Sequence, residues 1–311
     1  MSTEHDSTEH DNAGHDSAGH DSAGQDNPYD LLGDDHDDGH RWAFGTGFTD
    51  PLEGVDTTVP AHVDRDALAR YCLALGDDAL IYSHRLQQWV TRMPELEEET
   101  AIANIALDLL GQARMLLARA GGILGRTEDQ LAFFREDKDF RNVRLAEYED
   151  RDFAELVGRL LIFSTWRLAL FEALSSSPDP VLAAIAVKGV KELTYHRDYA
   201  ARWVVRLGDG TPLSHERMQN ALTAIWPLFG ELFVPEKDAQ TAVPPGTAAL
   251  AGAVDAVIDI VLATACLDRP GGVALAGVSG RAGRDGVHTE AMGYILAELQ
   301  SLARAHPDAT W

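Results

Sequence analysis

From about residue 66 onward, the apolar residues of this chain recur at spacings of three and four, in several segments longer than 20 residues. That period matches the turn of an α-helix and excludes a pleated strand, whose side chains alternate with period two. Punctuation residues divide the pattern. One helix covers about 66–91, and a second follows Pro94 and stops at Gly121-Gly122, glycine being the usual left-handed end of a helix. Thr127, followed by acids, is an N-cap for a shorter helix, and another helix covers about 152–176. Asp179-Pro180 sets a cap before a first-turn proline and opens a helix that ends at "LGDG". Ser214 opens one more, interrupted by Pro227, and helices near 246–267 and from Thr289 to about 305 complete the chain. Nothing alternates convincingly as a strand. Long helices joined by short loops predict an all-α chain built on a helical bundle, with additional helices around it.

The bundle domain is expected over 63–311, behind a His/Asp-rich tail over 1–62. The tail begins with a pentad repeat, "STEHD STEHD NAGHD SAGHD SAGQD". A period of five advances about 140° per repeat on a helix, so its histidines spiral instead of forming a stripe. Residues 1–40 hold twelve Asp or Glu and no Lys or Arg, half of the formal net charge of −24. Without apolar residues to bury, this acidic segment is expected to be disordered to about residue 40, and at most to 62. His5, His10, His15 and His20 could hold a transition metal loosely, but a solubilising extension is the favoured reading of a tract without fixed geometry.

The acidic balance argues against nucleic acid and against anionic membranes as partners, since both are bound through clustered Lys and Arg. Cys72 and Cys266 lie far apart in no metal or redox spacing and read as reduced core thiols. No basic region followed by an apolar run opens the chain, so a cytoplasmic protein is expected. The most hydrophobic window, 248–267, carries Asp255 and Asp259 one turn apart on one face. That predicts an amphipathic helix and not a membrane span.

Two stripes carry the chemistry. On the second helix, Ile102, Ile105, Leu109, Gln112 and Leu116 share a face; on the helix after Pro180, Leu182, Ile185, Gly189, Leu193, His196, Ala200 and Trp203 do the same. Each stripe contains one polar residue, with leucine three positions before it. A carboxylate-bridged di-iron bundle takes Glu from two helices and Glu-x-x-His from each of the other two. Here the i, i+3 registers are "LLGQ" (109–112) and "LTYH" (193–196). Both glutamates are replaced by leucine and one histidine by glutamine, so these are degenerate positions unable to balance the charge of two irons. Glu192 lies off the stripe centre, where a flank hydrogen bond suits it better than bridging ligation. Asp77, Asp78 and Glu172 are candidate remnant carboxylates on the other helices. His196 is expected to be a buried, hydrogen-bonded histidine whose partner is Gln112, Asp78 or Glu172.

The segments "LGDDALIYSHRLQQWVTRMPELEEETAIANIALDLLGQAR", "KELTYHRDYAARWVVRLGDGT" and "HTEAMGYILAELQSLARAHPDATW" resemble the C subunits of bacterial ring-1,2-phenylacetyl-CoA epoxidase, a multicomponent oxygenase. The resemblance covers about residues 66–235 and 286–311. It implies a ferritin-like fold and a structural subunit, itself not catalytic and holding no cofactor. The di-iron centre would then belong to a catalytic partner subunit, with other subunits completing the complex. An extensive apolar interface is expected, with Trp89, Trp166 and Trp203 as candidate anchors, and self-association of the isolated chain. The competing readings are an active di-iron oxygenase with atypical ligands and a metal-binding protein acting through the tail. Outside the resemblance, the loop "GVSGRAGRDG" (277–286) carries Arg281 and Arg284. A flexible connector is its favoured reading, and contact with CoA phosphates the alternative.

Overall fold

The computed structural model of the chain describes residues 52–93, 95–234, 250–271 and 282–309. The pentad tail with its histidines, and Arg281, lie outside the described residues. Within them nine α-helices follow one another: α1 (Arg65–Gln87), α2 (Leu96–Leu124), α3 (Glu128–Phe133), α4 (Arg144–Glu147), α5 (Phe153–Leu174), α6 (Pro180–Gly208), α7 (Pro212–Ile225), α8 (Ala251–Thr264) and α9 (Glu290–Ala305). No strand occurs among the described residues.

Local chemistry explains most of the boundaries. Asp64 caps α1 through Asp66 N and Ala67 N, Asp152 caps α5 through Glu155 N, and Asp179 caps α6 through Leu182 N. Thr127 and Gln130 form a reciprocal capping box at α3. The second helix runs past Gly121-Gly122 and ends at Gly125, which adopts the left-handed conformation at φ 69°. Gly121 and Gly122 are thus interior residues of α2. The seventh helix opens at Thr211-Pro212, two residues before Ser214. At Pro227 the chain tightens into the 3₁₀ segment Trp226–Phe233.

The core is a four-helix arrangement in which α1 packs along α2, α5 along α6, and α2 meets α6. Both stripes are buried as expected, except that Trp203 is half-buried. Helices α5 and α6 approach closely: a Cβ added to Gly189 would stand 2.5 Å from Phe171 Cδ2. Helix α2 is long and apolar enough by composition to cross a bilayer, but its apolar stripe is inside the bundle. Helices α7 and α8 cover α5, and α9 lies against α3 and α1.

Two expectations need correction. Residues 52–62 belong with the folded domain and not with the tail: Leu52, Val55 and Val59 pack on the core, and Thr57 O accepts a hydrogen bond from Arg119 Nη1 at 2.6 Å. Of the two cysteines, only Cys72 is a core thiol; Cys266 is exposed, with φ 55°, just after α8.

Candidate functional site

The two i, i+3 registers meet in the bundle through Gln112 and Glu192, and a buried guanidinium from α5 joins Gln112 there. Arg167, on α5, is completely buried. Its Nε donates to Gln112 Oε1 at 2.9 Å and its Nη2 to the Leu75 carbonyl at 3.2 Å. The Phe171 ring lies 4.5 Å from the guanidinium carbon, a cation–π contact that is favourable where water is excluded. The third nitrogen, Nη1, makes no hydrogen bond and stands 4.0 Å from Asp78 Oδ2.

Asp78, on α1, is also fully buried. It accepts from Arg284 Nη1 at 2.9 Å, Arg284 Nη2 at 2.7 Å and Val143 N at 2.8 Å. On the other side, Gln112 donates through Nε2 to Glu192 Oε2 at 2.9 Å, and Glu192 pairs with Lys188 one turn earlier on α6. Gln112 therefore uses both halves of its amide, accepting from a cation and donating to an anion. Burial pushes the Asp78 carboxyl up from its ordinary value, and Arg284 and Arg167 oppose that rise. Burial also lowers the Arg167 pKa, to about 10, with Asp78 pulling the other way. The guanidinium thus keeps its proton at neutral pH.

His196 is buried beside this centre, and its partner is Asp108: Nε2 and Oδ2 are 2.9 Å apart. Gln112, Asp78 and Glu172, the expected partners, are not bonded to it. Gln112 and Asp78 are engaged as described, and Glu172 is exposed on α5. Glu172 is accordingly no remnant of an inward-facing carboxylate; Arg167 is the α5 residue that reaches the centre. Asp77 points away from it, to Arg135 Nη1 at 3.0 Å and Arg141 N at 2.8 Å.

These residues do not fit a di-iron centre. Leu109 and Leu193 present hydrocarbon where two bridging carboxylates belong. Asp78, Glu192 and His196 are each spent on other partners. No group of three or more His, Cys, Asp or Glu among the described residues could hold a metal ion.

Three residues of the cluster, Arg167, Asp108 and Lys188, escaped sequence reasoning. Arg167 could have been found as a lone cation in the apolar run "LLIFSTWRLALF". Asp108 had no comparable signal, because acids adjoin apolar stripes on most amphipathic helices. Arg284, a candidate anion contact by sequence, is spent inside: beyond Asp78 it donates to Ala74 O at 3.1 Å and Arg141 O at 2.6 Å. Among the candidate anchors, Trp166 is fully buried and has no surface to offer. Trp203 donates through Nε1 to Glu98 Oε2 at 2.9 Å. Trp89 lines a surface cleft of about 480 Å³ with Arg85, Arg92, Glu149, Tyr294 and Glu298.

An all-α bundle of this kind, with leucine, amide and guanidinium packed at its centre, is a ferritin-like helical protein. Residues 53–311 match the family described as phenylacetic acid catabolic protein, and the chain belongs to that family. It is similar to the C subunit of 1,2-phenylacetyl-CoA epoxidase from Escherichia coli (strain K12), with 39% identity over 251 residues, covering 78% of this chain and 99% of that protein.

Proposed function

We propose that this chain is a non-catalytic structural subunit of a phenylacetyl-CoA 1,2-epoxidase complex that acts in aerobic phenylacetate degradation in the cytoplasm. Its partner is the chain that holds the di-iron centre. The observation that carries the reading is the pair of buried leucines, Leu109 and Leu193, at the two positions where a Glu-x-x-His register would need glutamate. A bundle so arranged has no open position for oxygen chemistry, and what it offers a complex is its fold and its surface. The relatedness to an epoxidase component supplies the complex. A stable association of helical subunits buries on the order of 2,000 Å² or more. Exposed Leu96, Leu107, Val187 and Tyr195 on α2 and α6 give that contact an apolar component.

The test is co-purification from the native host, followed by iron analysis and assay of the separated chains. The expected outcome is an iron-free chain without epoxidation of phenylacetyl-CoA, even with iron and a reductase supplied, and recovery of activity with a Glu-x-x-His-bearing partner. Stoichiometric iron in this chain, or activity above that of a Gln112→Ala/His196→Ala variant, overturns the reading.

A further inference from the structure

The polar groups at the bundle centre form one line of alternating charge. Lys188 pairs with Glu192 on the rim of α6, and Glu192 accepts from Gln112 on α2. Gln112 accepts from Arg167 on α5, and Arg167 faces Asp78 on α1 at 4.0 Å. Asp78 ends the line on Arg284, which arrives from the segment before α9. The order is cation, anion, amide, cation, anion, cation. Every helix of the four-helix core contributes a member, and the middle of the line is the level of the i, i+3 registers.

We infer that Arg167 is a built-in cation that has taken the electrostatic place of a metal, bracing the four helices and excluding metal ions from the bundle centre. This rests on the proposed reading of the chain as a metal-free subunit and deepens it. Three observations support it. A bundle built to hold metal gathers anions and needs a positive charge in the middle to offset them; here that charge is covalent. The guanidinium directs its donors at groups from other helices, the Gln112 amide of α2 and the Leu75 carbonyl of α1, as a bridging ion would gather ligands. Finally, Nη1 makes no hydrogen bond and aims its charge at Asp78 across 4.0 Å. A divalent cation brought to this centre would meet a fixed like charge in a dry site, where such repulsion is strong.

The consequence is that restoring ligands alone will not restore a metal site. In the full-length chain, Leu109→Glu/Gln112→His/Leu193→Glu rebuilds both registers while keeping Arg167, and the same triple with Arg167→Glu also removes the cation. Cobalt(II) is the probe, followed by its visible absorption and by metal content after gel filtration, with helicity and thermal melting checking the fold. Cobalt is expected to bind at least tenfold more tightly to the variant lacking Arg167. Should Arg167→Glu fail to fold, Arg167→Met in the same triple removes the charge without adding a ligand, and the same tenfold difference is expected. Equal affinity with and without Arg167, or no binding in either, overturns the inference. Iron in the unmodified chain instead overturns the proposed function, so the two failures are distinguishable.

Discussion

Asp179 does two jobs, and replacing it separates them. Its Oδ1 caps α6 by accepting from Leu182 N at 2.8 Å. The same carboxylate receives Arg119 of α2 through Nε at 3.2 Å and through Nη2. Arg119 Nη1 reaches the Thr57 carbonyl at 2.6 Å. Both side chains are inside, with 7% exposure for Arg119 and none for Asp179. Asparagine caps a helix about as well as aspartate, so Asp179→Asn keeps the cap and removes the charge. Arg119 is then a buried cation without a counterion, a defect that costs about 3–5 kcal/mol. The remaining bond to Thr57 O places this case at the lower end, about 3 kcal/mol. Asp179→Ala also loses the cap, worth about 1 kcal/mol more. Arg119→Met should cost less than either, about 2 kcal/mol, because the stranded carboxylate still accepts from Leu182 N and sits at the positive end of α6. Urea unfolding followed by far-ultraviolet dichroism and tryptophan fluorescence gives the three values. Hydrogen exchange should show residues 52–63 losing protection in all three. An Asp179→Asn variant within about 1 kcal/mol of the unmodified chain would refute the assignment of Asp179 and Arg119 as a working buried pair.

His196→Ala should destabilise the chain by roughly 1–3 kcal/mol, because it removes a buried ring and its bond to Asp108; it should leave the iron content of an assembled complex unchanged, and a stoichiometric fall in iron with fold and complex intact would refute the remnant reading. For His288, burial disfavours the charged ring, but the Glu147 carboxylate 3.4 Å from Nδ1, with the Phe140 carbonyl at 3.1 Å from Nε2, outweighs it and leaves the pKa raised above 6.5. A raised histidine pKa gives stability that is fully present below the unfolded value and is lost as pH rises through the folded one. The stability gap between the unmodified chain and His288→Gln should therefore be larger near pH 6 than near pH 8, and a gap that is flat or grows with pH would contradict the pairing. Deleting residues 1–40, which hold twelve acids and no Lys or Arg, should move the melting midpoint by no more than a few degrees, and a larger fall would show that the tail contributes to folding.

The helices and the stripes on α2 and α6 could be read from the sequence because both helices are amphipathic. With one polar face, the 3-4 spacing says which residues point inward, and it placed Gln112 and His196 at the centre. Helix α5 gives no such guide. It is buried nearly all round, with Arg159 and Arg167 both fully inside, and a helix without a polar face has no period from which orientation can be taken. Glu172 was therefore as good a candidate for an inward residue as Arg167. Periodicity also predicts faces and not partners, which is why the Asp108 bond to His196, from just beside the α2 stripe, stayed hidden.

Arg284 was illegible for a different reason. Its bonds to Asp78 span 206 positions along the chain, and no local pattern in a glycine-rich loop records a destination that distant. The mismatch was informative even so. Leucine at positions 109 and 193 is legible in the sequence, but it does not show what neutralises Asp78, an acid held in a dry core. A buried carboxylate without a counter-charge costs several kcal/mol, so Asp78 by itself would leave an electrostatic deficit at the bundle centre. Arg167 from one side and Arg284 from the other fill it.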